Sequence, residues 1–488
     1  MLDLSTTGLH DLAASIAADA RHLIGGNLQK GTVHADVSAP WDRRLKVSYT
    51  QTGLDDLAVA VSAAHTARQG GRWHRSQARN CLLTLADLLA AEQDVFIGLI
   101  CFENGKLESA ARAEVLGAIA GLRYWAEQAP SESVVTRTEA RLTRLTRDPL
   151  GVVAAITPFN MPLLMMVNKI GAALAAGNTV VCKPSPDTPL SALHFARLAA
   201  GAVPAGVLNI LAGGPETGPA LTASPEVSMV SFTGSIETGK AIMAAAAPTM
   251  KRLQLELGGN DPAIVCRDAN VSDVAVNIFR SAFGSAGQAC VAVKRVYVHE
   301  DLHDELAEEL AALSARAVPG RPFSEDATMP ALTTRRQLEH LRWLADDSRK
   351  RGGKFIHTGA IDDTVGNFAS PSIVTGLTDG APLVDGEQFS PILPLVPFSD
   401  VDPVVDNVNA GRFGLGATVW TEDTERADRI AERLETGMIW VNALPHPDPT
   451  VPFGGARESG LGREGGQAGL DEFTEVKCTT FNSKEAQR

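Results

Sequence analysis

From Gly151 onward the chain repeats one pattern: a short apolar run, a turn, and an interval long enough for a helix. GVVAAI begins it, and TVVC, VLNIL and VSMVSF follow. A run with no polar alternation is what a strand buried on both faces requires. Strand, turn and helix in alternation predict a parallel sheet covered by helices. The pattern resumes after Glu256 with PAIV, a helix to Phe283, RVYV and a helix from Asp301 to Ala317. GLGATVW and GMIWVN read as its later strands. This restart predicts a second α/β unit, and at 488 residues two or three domains are expected.

The N-terminal part reads as helices. Leu57, Val61 and Ala64 share one face over Leu54 to Ala67. A second helix starts with Ser76 as its N-cap and carries Leu82, Leu85 and Leu89 on one stripe. ENGK, Glu103 to Lys106, interrupts, and a further helix runs to about Trp125. Leu142 and Leu145 then nearly alternate with Arg141, Thr143 and Thr146, the signature of a hairpin or edge strand. EFTEVKCTTF near the end reads as a strand able to join it. No internal repeat or low-complexity segment interrupts this order.

Composition narrows the function. A formal charge of −13 disfavours a nucleic-acid binder. Six cysteines without CxxC spacing suit a reducing compartment. The N-terminus lacks the basic and apolar regions of a signal peptide, and no apolar run reaches the ~18 residues of a membrane span. The cytoplasm is the expected location.

Three motif patterns need their context. His299 to His303 fits H-E-x-x-H, which requires both histidines on one helical face. RVYV before His299 reads as a strand and Asp301 as a helix cap, so the pair straddles a boundary and zinc is disfavoured. Gly234 to Lys240 nearly fits a P-loop, but Ala241 stands where a magnesium-binding Ser or Thr is needed. Phosphate binding by that turn and helix N-terminus remains sound. Gly460 to Gly465 fits G-x-G-x-x-G but follows a Pro-rich loop, so it reads as a structural turn.

FGSAGQAC, Phe283 to Cys290, offers a thiol behind small residues that leave room for a ligand. LELGG, Leu255 to Gly259, offers the Glu256 carboxylate on a glycine-flanked turn. A carboxylate can act as general base on a thiol or on water. At these residues the sequence resembles the aldehyde dehydrogenase superfamily, and the resemblance extends over nearly the whole chain. It implies that Cys290 attacks an aldehyde, that Glu256 activates the hydrolytic water, and that Asn160 of ITPFNMP holds the oxyanion with the Cys290 N–H. Retention of Glu256 implies a hydrolytic member, not a CoA-acylating one. The product would be a carboxylic acid, formed through a Cys thiohemiacetal and thioester, with no metal.

The resemblance also implies a nicotinamide site. The FTGS turn would lie under the pyrophosphate, with Phe232, Gly234 and Ser235 in contact. Lys183 and Ser185 of KPS would hold the adenosine ribose, and Glu387 and Phe389 of EQFSP the nicotinamide ribose. Ile156, Thr157 and Leu257 complete this set. Phe453 would line the substrate tunnel, with Met161 and Asn168 where aromatics are common. Pro186 replaces a Glu that often follows K-P-[SA], which weakens exclusion of NADP; NAD is still the expected cofactor. The implied fold is a Rossmann-like cofactor domain (1–128 and 149–257), a catalytic α/β domain (258–468) and a small β oligomerisation arm (129–148 and 469–488). The implied assembly is a homodimer or homotetramer acting on a small-molecule aldehyde, with no nucleic acid or membrane partner. Two other classes are a metal-dependent hydrolase using His299 and His303, and an inactive binding member of the fold.

Overall fold

The computed structural model describes residues 5–69, 73–138, 141–446 and 448–482. The first four residues, Gly70 to Arg72, Glu139 and Ala140 of the arm, Pro447 of the LPHPDPT loop and the last six residues lie outside these.

The apolar runs become adjacent strands. Leu208–Ile210, Thr179–Lys183, Val152–Ile156, Val227–Gly234 and Arg252–Leu257 lie side by side and parallel in an eight-stranded sheet. The reason lies in the alternation of Cβ direction along a strand. Val153 and Ala155 point into one hydrophobic cluster, while Val152, Ala154 and Ile156 point into another on the opposite face. Both faces are covered by helices, so the strands are mostly apolar, and the polar residues they do carry, such as Ser231 and Gln254, are hydrogen-bonded to each other. The sheet is mixed at its edges: His22–Ile24, Asn27–Gln29 and Gly460–Leu461 pair antiparallel.

The second sheet has seven strands, in the order Lys354–His357, Ser372–Thr375, Ile392–Phe398, Arg295–His299, Pro262–Val265, Gly416–Trp420 and Met438–Val441. All neighbours are parallel except the first pair. Ile264, Val296, Val298 and Leu393 anchor its own core. A third, three-stranded sheet joins Ser133–Arg137, Leu142–Pro149 and Thr474–Phe481. The terminal strand pairs antiparallel with the arm from Thr474↔Pro149 to Phe481↔Leu142.

Several local expectations are corrected. The helix expected to be capped by Ser76 begins at Arg75 with His74 as N-cap, and the Gln77 side chain accepts the His74 N–H at 3.1 Å. The sequence three residues past His74 thus outweighs the hydroxyl of Ser76. The helix expected from Asp301 to Ala317 is a 3-10 turn, Glu300–Leu302, followed by His303–Ala315. His299, not Asp301, caps that turn: its ring accepts the Asp301 N–H at 3.2 Å. Gly460, expected in a turn, lies in a short strand paired with Glu256.

Candidate active site

A cavity of about 560 Å³ opens between the two large sheets. Strand C-termini build most of it, where open α/β sheets leave a crevice for ligands. Asn160, Glu256 and Cys290 all line it. So do Ile156, Thr157, Lys183, Ser185, Phe232, Gly234, Ser235, Leu257, Glu387 and Phe389. Met161 and Asn168 do not. Asn168 lines a separate cavity of about 40 Å³ beside Trp125 and Glu464. Phe453 packs with Val291, Leu415 and Cys290 in a small apolar cluster.

Cys290 follows the helix Val271–Phe283, which ends at Gly284. Ala286 and Gly287 then take left-handed backbone, at φ 52° and 78°. A Cβ on Gly287 would lie 2.6 Å from the Ser390 carbonyl oxygen, so only glycine fits. Burial pushes the Cys290 thiol well up, with Glu256 the next cause. Atoms crowd the sulfur, yet part of the side chain faces the cavity and stays reachable.

Glu256 ends the strand Arg252–Leu257 and is buried. Neither carboxylate oxygen has a hydrogen-bond partner. The Cys290 thiol interacts with it from outside strict hydrogen-bond geometry. Burial, then the nearby Glu464 charge, pushes the Glu256 carboxyl up to about 8. A carboxyl in that range exchanges protons near neutral pH, as a general base must. The two motif glycines have separate work. A Cβ on Gly258 would lie 2.1 Å from Glu387 Oε2, and the Gly259 N–H donates to Glu387 Oε1 at 3.3 Å. Glu387 is thereby drawn against the turn that carries Glu256.

Asn160 is held at both ends. Its Nδ2 donates to the Gln288 carbonyl at 3.0 Å, and its own carbonyl accepts from Lys106 Nζ at 2.6 Å. Lys106 pairs in turn with buried Glu114, which accepts the Leu163 and Leu164 N–H groups. Asn104 Nδ2 donates to the Phe159 carbonyl at 2.8 Å. ENGK, which read as a mere break between helices, braces this segment.

The chain belongs to the aldehyde dehydrogenase family. The family's sequence profile, "Aldehyde dehydrogenase family", matches residues 28–479. A phenylacetaldehyde dehydrogenase of Pseudomonas fluorescens is 37% identical over 467 residues, covering 90% of this chain and 93% of that one. The NAD⁺ complex of an aldehyde dehydrogenase from Bacillus cereus superposes with TM-score 0.91 at 30% identity, covering 95% of this chain and 96% of that one. The crystal structure of an E. coli NADP-dependent enzyme gives TM-score 0.92 at 32% identity, covering 95% and 98%.

The cavity fits a dinucleotide of the kind this family uses. The helix Ile236–Ala246 points its N-terminus into it, a ready site for phosphate. Ser235 caps that helix, accepting from the Thr238 N–H at 3.3 Å, so its oxygen is already partly engaged. The Thr157 hydroxyl is buried on the cavity wall without a partner, and Glu387 offers a carboxylate for ribose hydroxyls. Lys183 is folded back, donating to the Pro184 carbonyl at 3.1 Å. Arg336 and Gln337 also line the cavity. Sequence reasoning missed both, because they come from a helix far along the chain with no motif of its own. It also missed Lys169, which is buried in an ion pair with Glu464 and bonds Ser231 Oγ at 3.1 Å. A lone Lys within the apolar run around Ile170 was the available signal.

His299 and His303 sit apart in role. His299 ends a strand and packs on Phe398, and His303 opens a helix beside Asp304. Among the described residues no cluster of three or more His, Cys, Asp or Glu could hold a metal ion.

Proposed function

We propose that this protein oxidises an aldehyde to the carboxylic acid with NAD, and tolerates NADP, through covalent chemistry at Cys290. The observation that carries this reading is that Cys290, Glu256 and Asn160 share one cavity with a helix N-terminus and Glu387. Cys290 Sγ adds to the carbonyl carbon, giving a thiohemiacetal whose oxyanion is held by Asn160 Nδ2 and the Cys290 N–H. A nicotinamide held in this cavity, with its ribose on Glu387, would supply the acceptor for the hydride that leaves the thiohemiacetal carbon. The thioester left on Cys290 is attacked by water whose proton passes to Glu256, releasing the acid and restoring the thiol. Lys169 and Glu464 lie behind Glu256 and bias its proton affinity from either side.

The same reading assigns 1–128 and 149–257 to cofactor binding, 258–468 to catalysis, and 129–148 with 469–488 to a homo-oligomeric arm. A cytoplasmic location fits the scattered cysteines, and among the described residues no helix is long and apolar enough to cross a membrane. Relatives acting on phenylacetaldehyde and on 2-hydroxymuconic semialdehyde frame the substrate range to be searched. A panel of aryl, alkyl and carboxylated aldehydes, followed by NADH absorbance with wild type and Cys290→Ala, tests the reading. No turnover of any member by the wild type would sink it.

A further inference from the structure

Directly beneath the nucleophile lies a buried cation that the chemistry above does not use. Lys294 is 1% exposed, and it makes no ion pair within 4.0 Å among the described residues. An ammonium is costly to bury unless its donors are satisfied. Lys294 Nζ satisfies two of them on the loop that presents Cys290. It donates to the Gly287 carbonyl at 2.9 Å and to the Ala289 carbonyl at 2.8 Å. It also stands 4.9 Å from the centre of the Phe389 ring, within reach of a cation–π attraction.

The Lys294 backbone is fixed on both sides. Its N–H donates to the Asp261 carbonyl at 2.9 Å, and its carbonyl accepts from Gln388 Nε2 at 2.6 Å. The stem therefore has one place to rise from. Gly287 lies in the left-handed part of this turn, and its carbonyl has no other donor among the described residues, whereas the Ala289 carbonyl also accepts the Ala292 N–H at 3.3 Å. Without Lys294 the Gly287 carbonyl would be a buried acceptor with no donor, and the turn would have reason to relax.

Three acids surround it, and other cations reach them too: Arg295 acts on Asp261, Arg412 on Glu387 and Lys169 on Glu256. Glu256, Asp261 and Glu387 all face Cys290 and raise its thiol, while Lys294 interacts with Glu387, Asp261 and Cys290. Asp261 is buried with both carboxylate oxygens unpartnered. Lys294 is thus a cation among these acids that also bonds the loop carrying Cys290.

We propose that Lys294 is a positioning residue for the nucleophile: it pins the Gly287 and Ala289 carbonyls and supplies the positive charge against which the Cys290 thiolate forms. The proposal rests on the reading of Cys290 as nucleophile.

The test is alkylation of Cys290 by iodoacetamide, followed peptide by peptide by mass spectrometry across pH. Exposed Cys478 serves as internal control. K294M removes donors and charge, K294Q keeps a donor without the charge, and K294R keeps the charge. Both neutral variants should shift the Cys290 midpoint upward and slow alkylation near neutral pH by about tenfold or more, the equivalent of one pKa unit. K294R should recover part of the loss, and Cys478 should not change. NAD binding by calorimetry is measured on each variant beside the alkylation, because Lys294 also interacts with Glu387 and lies against Phe389. A folded K294Q whose Cys290 profile overlays the wild type overturns the proposal, as does a folded K294R no better than K294Q. Failure of the wild type to oxidise aldehydes would remove the functional reading instead, and the alkylation profiles would still decide the role of Lys294.

Discussion

The side-chain amide of Asn160 donates to the main-chain carbonyl of Gln288 at 3.0 Å, tying the first sheet's crevice to the loop that carries Cys290. The donor proposed for the oxyanion is therefore already aimed at the nucleophile's own loop. Because Lys106 holds the Asn160 carbonyl, the side chain has little freedom to wander. Asn160→Ala should lower kcat by ~10²–10³ while leaving NAD affinity nearly unchanged. Steady-state kinetics beside a calorimetric titration would check this. A loss confined to NAD affinity would contradict the oxyanion role.

Pro186 stands exposed at the rim of the cavity, next to Asp187 and near Lys183. A carboxylate there would oppose a 2′-phosphate, and such repulsion between like charges gives specificity. Pro186→Glu should lower kcat/KM for NADP by about tenfold or more relative to NAD. Equal effects on the two cofactors would remove Pro186 from the account of selectivity.

What was legible in the sequence follows from physics that acts locally. Val152 to Ile156 announced a central strand because neighbouring residues serve two different cores. Gly287 reads as leaving room for a ligand before Cys290, whereas its missing Cβ makes room for the Ser390 backbone. Lys106, Lys294 and Arg336 were not legible as site residues. Lys106 and Arg336 reach the site from distant segments, and no spacing along the chain encodes such an approach; Lys294 is only four residues past Cys290, but nothing in the spacing shows that its side chain turns back to the Gly287 carbonyl. Gly460 was misread for the same reason: its strand exists only because the edge beside Glu256 is open. The zone around Met161 and Asn168 was placed by resemblance alone, and the packing puts both outside the main cavity.

The three-stranded arm leaves the edges of Ser133–Arg137 and Thr474–Phe481 open and exposes Val134, Val135, Val476 and Phe481. Open apolar edges invite pairing with another chain. Light scattering at micromolar concentration should give a mass of at least two chains. Val476→Asp should shift that mass toward one chain, because a desolvated carboxylate would face the interface. A monomeric wild type would refute the assembly.

Three buried carboxyls make stability depend on pH. Burial pushes Glu256 up to about 8 and Asp261 and Glu103 up to about 7, from ordinary values of 4.5, 3.8 and 4.5. Each keeps its proton longer folded than unfolded. Their stabilising contribution is complete below the ordinary values and is lost as pH climbs to about 8. Each group contributes a slope of roughly 1.4 kcal/mol per pH unit inside its window. Asp261→Asn removes one titration at a site where both carboxylate oxygens lack partners. Its thermal midpoint should fall less than that of the wild type between about pH 5 and about pH 8. Parallel curves for the two proteins would show that Asp261 does not titrate in this range.

Glu256 and Cys290 should separate when each is replaced. Cys290→Ala removes the atom that bonds substrate, so both hydride transfer and thioester formation should vanish. Glu256→Gln keeps the shape of the buried side chain and removes its proton chemistry. The helix N-terminus and Glu387 are unchanged, so cofactor binding should persist. The first half of the reaction needs a thiolate, and Lys294 supplies a cation for it without Glu256. Glu256→Gln should then give one burst of NADH per active site and slow steady turnover by ~10²-fold or more, the worth of a general base. The trapped thioester should appear as added mass on the Cys290 peptide. Wild-type turnover in Glu256→Gln would remove Glu256 from deacylation. Loss of the burst as well would assign it a second task, taking the proton from the thiol, which burial and then Glu256 push upward.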